Sequence, residues 1–352
     1  MILFGTGGVK NLRNKQRRQG KCSRLLKIIK ISVIVIVIVI VMINIICFTS
    51  CSRNKMEELN TINKNSSEKI SVSASFYVMY DFSSKIGGDK ASVENLLPYG
   101  TDPHTWEPSP KDIVSIQNAR MLVYNGAGME KWIEKVLKSI DVKNIIVVET
   151  SKNVKLLEIK FDEIGSVESS DGQQSNQAHV YDPHVWLDPS RAKLQIREIA
   201  DAYIKIDPGN SDYYEKNYEY YAMELDKLDS EYKEAVSKFK TKDIVVSHAA
   251  FGYLCDAYGL RQIAISGLDE EAEPTALRMV EISEYIKANG ITTVFFDKFA
   301  NPKVIESIAN STGVKIAELN PIASLSLEEI EAGKDYFTTM RDNLETLKKA
   351  LN

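Results

Sequence analysis

The stretch DPGNSDYYEKNYEYYAMELDKLDSEYKEAVSKF, residues 207–239, decides the fold. After the breaker DPGN at 207–210, apolar or aromatic residues fall at Tyr214, Tyr218, Tyr221, Leu225, Leu228, Tyr232, Ala235 and Phe239, always three or four apart. This period predicts one helix of about seven to eight turns, at 3.6 residues per turn. Its tyrosine stripe reads as a packing face rather than a cofactor surface. On either side, short β-branched runs alternate with amphipathic segments. SVSASF (71–76), MLVY (121–124) and IIVVE (145–149) precede the helix, and DIVVSH (243–248), TVFFD (293–297) and VKIAEL (314–319) follow it. Such alternation predicts a parallel sheet with covering helices in each half. The fold class is therefore α/β, with two lobes, residues 70–210 and 241–352, joined by one long rigid helix, 211–240. A helix does not bend as a two-strand hinge does, so the cleft between the lobes should open only a little. Ser109-Pro110 reads as the cap and first residue of one covering helix, and Pro274 to Asn289, closed by Gly290, as another.

With 352 residues, 44% hydrophobic and 26% charged, the chain is large enough for two lobes with separate cores. A net charge of −4 gives no reason to expect nucleic-acid binding, which normally needs a clustered excess of Lys and Arg. Residues 1–50 differ in kind: nine Lys or Arg and no acid up to Lys30, then an apolar run from Ile28 to Phe48. This reads as a signal peptide, with a basic region and an apolar leader. The sequence FTSC that ends it resembles a bacterial lipoprotein lipobox, with Cys51 as the acylated residue and 51–69 as a polar tether. An uncleaved transmembrane anchor is the alternative. Either way the domain is expected outside the membrane and tied to it. Cys255 is then the one remaining cysteine, so the mature domain holds no internal disulfide and relies on packing.

The chemistry lies in a repeated phrase, DPHTWEPS at 102–109 and DPHVWLDPS at 182–190, in a chain with four histidines and three tryptophans. Asp-Pro restricts the backbone before His104 and His184, and the tryptophan two places on can bury an apolar face beside each ring. His248 closes the run DIVVSH, at the C-terminal edge of a strand, where open α/β sheets place their ligands. Three imidazoles converging on one point suit Zn²⁺, whereas Mn²⁺ prefers more oxygen. His179 ends the polar, aperiodic loop 161–179 and reads as a solvated residue outside the site. No CxxC, HExxH, Walker or GxSxG motif offers a competing chemistry.

Six phrases in order, YDFSSKIGGDK, GTDPHTWEPSPKDI, VYNGAGMEKWIEKVL, DPHVWLDP, VVSHAAFGYL and GLDEEAEPT, resemble the cluster A solute-binding lipoproteins of metal ABC importers, zinc branch. The resemblance runs from about Ile70 to the C-terminus. It implies that His104 and His184 are the first and second metal ligands, from the N-terminal lobe, and that His248 is the third. It implies a membrane-tethered, monomeric extracytoplasmic receptor that captures Zn²⁺ between its lobes and delivers it to an ABC permease, without catalysis. The alternatives are a hydrolase-like three-histidine zinc centre, or a manganese-binding or adhesin paralogue. The family places a fourth ligand, a glutamate, after LNP, and this chain reads LNPIASL with Ala323 there. Glu328 and Glu329 are substitutes by proximity in sequence, although both fit the solvated face of the next helix better. The loop 161–179, often histidine-rich in relatives, has only His179 here.

Overall fold

The computed structural model describes residues 69–159, 181–268, 274–297 and 302–352. The leader 1–50, Cys51 with its tether to residue 68, and the loop 161–179 with His179 lie outside the described residues. By its contacts the chain divides at Glu68, and Lys69–Asn352 is one compact unit. Among the described residues no helix is long and apolar enough to cross a membrane.

Two four-stranded sheets form, both parallel throughout. In the first, β1 (Ile70–Ala74), β2 (Ala91–Asn95), β3 (Met121–Tyr124) and β4 (Ile146–Glu149) stand in the order β2-β1-β3-β4. Their covering helices are α1 (Tyr77–Gly87), α2 (Pro110–Asn118), α3 (Ile133–Ser139) and α4 (Pro189–Ile206). The second sheet repeats the order as β6-β5-β7-β8, from β5 (Asp243–Val246), β6 (Arg261–Ala264), β7 (Thr293–Phe296) and β8 (Lys315–Glu318). Between the sheets runs α5 (Ser211–Ser237), and around the second lie α6 (Gly252–Tyr258), α7 (Ala276–Ala288), α8 (Pro302–Thr312), α9 (Leu327–Glu331) and α10 (Tyr336–Leu351). In each sheet the winding reverses between the first and third strands, the switch point at which such folds bind ligands.

Six strands fall where the β-branched runs predict them. The other two, β2 (ASVEN) and β6 (RQIA), carry no such run, and both are edge strands. An edge strand packs less of its surface, so its sequence is under weaker demand for apolar residues. The Ser109 cap and Pro110 stand as expected, in a capping box with Asp112. Pro274 does not open α7: Thr275 is the cap, its Oγ1 accepting the Arg278 N–H at 3.1 Å, and Ala276 is the first helical residue.

The linking helix α5 has 27 residues. Its stripe Tyr214, Leu225, Leu228, Tyr232 and Ala235 is buried, with Tyr218 and Tyr221 half-buried against the same core. That core is continuous through both sheets, contrary to the expectation of separate ones. It takes Met121 and Val123 from β3 and Ile244 and Val246 from β5, while the alternate residues Leu122 and Val245 face two smaller outer clusters. The period-two alternation of a strand produces this division. What unites the halves is α10. Tyr336 Oη donates to the Trp186 carbonyl at 2.7 Å, and its ring meets Phe82 of α1 edge-on at 4.9 Å. Lys85 of α1 pairs with Asp81 at 2.6 Å and with Asp335, the cap of α10, at 3.0 Å.

Candidate metal centre

His104, His184 and His248 come from three loops that leave the C-terminal ends of β2, β4 and β5. All three are buried, and one ligand nitrogen from each lies within 4.8 Å of the others. His104 Nε2 and His184 Nε2 are 3.2 Å apart. A zinc–imidazole bond of about 2.0–2.1 Å in a tetrahedral site separates its nitrogens by roughly 3.3–3.4 Å, so this pair already has the required edge. Ring centroids at 5.1, 5.6 and 6.5 Å complete the triangle.

The repeated Asp-Pro-His phrase is a turn that closes on itself. Asp102 Oδ1 accepts the His104 N–H at 2.8 Å, and Asp182 Oδ1 accepts the His184 N–H at 2.9 Å. Aspartate two residues ahead supplies this turn, while proline between them restricts the rest of the backbone. Asp182 does more than its counterpart, because the same Oδ1 lies 2.9 Å from His184 Nδ1. That contact places the proton on Nδ1 and turns the Nε2 lone pair toward His104. In the sequence Asp182 shows only its part in the Asp-Pro turn; its place two residues before His184 is the signal for this second contact.

Beneath the His184 turn lies a buried polar network. Asn125 Nδ2 donates to the Pro183 carbonyl at 2.9 Å, and Gln195 Nε2 donates to Asn125 Oδ1 at 2.8 Å. Glu130 accepts the N–H groups of Asn125 and Gly126 at 2.8 and 3.0 Å, and the Ser75 hydroxyl at 2.7 Å. Gly126, Ala127 and Gly128 all take positive φ, which bends the NGAG phrase back over that carboxylate. The tryptophans diverge. Trp186 is fully buried beside His184 and Phe76, its Nε1 donating to the Pro321 carbonyl at 2.7 Å. Trp106 is half-buried and meets Trp132 edge-on, in the outer cluster of the first sheet.

The second half reaches the site through α6 and two loops. Tyr253 Oη donates to the Asp182 carbonyl at 2.8 Å and accepts the Leu157 N–H at 3.1 Å. Gly252 lies so close that a Cβ there would stand 2.3 Å from Asp182 Oδ2. The Asp297 carboxylate, just past β7, has its Oδ2 4.0 Å from His248 Nδ1, and both side chains are about 1% exposed. Burial, reinforced by the neighbouring His184 and by Lys131, pushes the His104 imidazole well below its ordinary pKa. Burial together with His184 and His104 does the same to His248. Both rings are thus held neutral, the form that binds a metal.

The loop 319–325 is tightly pinned. Asn320 and Asn343 bond twice, Ile322 sits at φ 63° with its N–H on Asn320 Oδ1, and Ser324 Oγ accepts the Gly100 N–H at 2.8 Å. Ala323 is buried there with only a methyl group to offer. Neither alternative acid joins the histidine group: Glu329 closes the capping box of α9 with Ser326, and Glu328 is exposed on its first turn.

Comparison with known proteins places these features in context. The family described as "Zinc-uptake complex component A periplasmic" matches residues 72–350. The high-affinity zinc uptake system protein ZnuA of Bacillus subtilis is 37% identical over 287 residues, covering 81% of this chain and 88% of that protein. The zinc-binding lipoprotein AdcA of Streptococcus pneumoniae is 38% identical over 286 residues, again 81% of this chain, which spans 56% of AdcA's length. The crystal structure of the Zn(II)-bound ZnuA-like domain of that AdcA superposes with a TM-score of 0.69 at 36% identity, covering 81% of this chain and 99% of that domain.

Proposed function

The chain belongs to the zinc-uptake complex component A family, and from that premise we propose that it is an extracytoplasmic zinc receptor serving an ABC permease. His104, His184 and His248 bind one Zn²⁺ between the two sheets and release it intact, with no bond made or broken. The observation that carries this reading is the His104–His184 Nε2 separation of 3.2 Å, the edge of a tetrahedral zinc site, with His248 inside the same 4.8 Å group. Neutral nitrogen donors favour Zn²⁺ over Mn²⁺, which binds more strongly to oxygen.

Within the same reading Cys51 carries the lipid that tethers a monomeric receptor to the membrane, each buried methylene adding about 0.8 kcal/mol of membrane affinity. The mass of the mature N-terminus distinguishes acylated Cys51 from an intact leader. Calorimetric titration with zinc, and with manganese as control, tests the site. One zinc per chain is expected, lost on substitution of His104, His184 or His248 by Ala and retained on substitution of His179. Stoichiometric binding by the His184→Ala variant would refute the ligand assignment.

A further inference from the structure

Resting on the reading of His248 as a zinc ligand, we propose that Asp297 is a positioning residue for the metal site. Its buried carboxylate orients the His248 imidazole so that Nε2 faces the cation.

The placement follows from the topology. β5 and β7 are the two strands at the switch point of the second sheet, paired in parallel through Val245–Val294 and Val246–Phe295. The chain leaves both at the same level. Ser247 N donates to the Phe295 carbonyl at 3.0 Å, and Asp297 N donates back to Ser247 Oγ at 3.2 Å. His248 and Asp297 therefore emerge side by side from the sheet edge, with Nδ1 of one 4.0 Å from Oδ2 of the other. The first half has solved the same problem already, in the 2.9 Å contact between His184 Nδ1 and Asp182. An imidazole has two nitrogens, and a carboxylate on the Nδ1 side leaves Nε2 for the metal.

At 4.0 Å the Asp297 contact is electrostatic and too long for a hydrogen bond. A dication on Nε2 draws electron density from the ring and makes the Nδ1–H a stronger donor, so loading should shorten this contact into a charge-assisted hydrogen bond. The carboxylate also offsets part of the +2 charge that three neutral imidazoles leave uncompensated in a buried site. Asp182 lies in a loop that follows the first sheet and Asp297 in one that leaves the second. Each sheet then contributes one histidine set by its own carboxylate.

The test compares the wild type, Asp297→Ala and Asp297→Asn in the full chain, purified with detergent. It uses zinc titration against a chelator, cobalt(II) absorption as the report on the ligand set, and urea unfolding of the metal-free protein. Zinc affinity should fall roughly 10- to 100-fold in Asp297→Ala. It should fall less in Asp297→Asn, whose amide oxygen can still accept the Nδ1–H. The cobalt bands should keep their energies and intensities in both variants, because the inner donors are unchanged. Unaltered zinc affinity in Asp297→Ala would overturn the proposal, and so would altered cobalt bands, which would make Asp297 a ligand. Should Asp297→Ala fail to fold, the isosteric Asn variant decides: wild-type affinity there refutes the proposal, and a reproducible loss with unchanged cobalt bands upholds it. Failure of the wild type to bind zinc would instead refute the functional reading on which the inference rests.

Discussion

Gly252→Ala adds one methyl group outside the three-histidine group and should nevertheless weaken zinc binding. The new Cβ would stand 2.3 Å from Asp182 Oδ2 and 3.5 Å from its Cγ. Non-bonded carbon and oxygen do not approach so closely, so the carboxylate must retreat by about 1 Å. It has little freedom to do so, because Oδ1 holds both the backbone N–H and Nδ1 of His184 at 2.9 Å. A retreat of that size stretches both bonds past about 3.5 Å, where they cease to be hydrogen bonds. His184 then loses the partner that directs its Nε2 at the metal, a loss that typically costs 10- to 100-fold in affinity. In free energy this is about 1.4–2.7 kcal/mol. The assay is chelator-competition titration of the wild type, Gly252→Ala, Asp182→Ala and the double variant. Because both substitutions act through one contact, the double variant should be hardly weaker than Asp182→Ala alone. Wild-type affinity in Gly252→Ala, or strictly additive losses in the double variant, would refute the reasoning.

Restoring a carboxylate by Ala323→Glu on the pinned loop 319–325 should tighten zinc binding at least tenfold, about 1.4 kcal/mol, by the same titration; unchanged affinity would mean that the loop does not present residue 323 to the metal. The metal-free protein should lose stability in mild acid. Its His104 and His248 pKa values lie below the unfolded value near 6.5, so the unfolded chain takes up protons first as the pH falls. Stability is therefore full above about pH 6.5 and is lost below it, with a limiting slope of about 1.4 kcal/mol per pH unit for each histidine. Urea midpoints measured between pH 5 and 8 check this, and a flat profile across that range would contradict it.

The fold is legible in the sequence where a single residue pattern forces a single conformation. The three- and four-residue spacing from Tyr214 to Ala235 could bury its apolar members only as a helix, and it forms one. The six β-branched runs could satisfy both faces only inside a parallel sheet. Asp-Pro-His was visible twice because the turn it builds is local, made by side chain and backbone two residues apart. What escaped was decided by partners distant in sequence. The edge strands β2 and β6 owe their pairing to β1 and β5, not to their own composition. The continuous core depends on α10 crossing back to Phe82 and Trp186, contacts more than a hundred residues apart. Asp297 stood in plain sight as the last letter of TVFFD, an acid at the C-terminal end of a strand. Its meaning required knowing that β7 lies next to β5 and so brings it beside His248. The three histidines that converge here were thus readable from local phrases, whereas Asp297 and Gly252, which approach this group across the fold, became legible only once the strands and helices were paired.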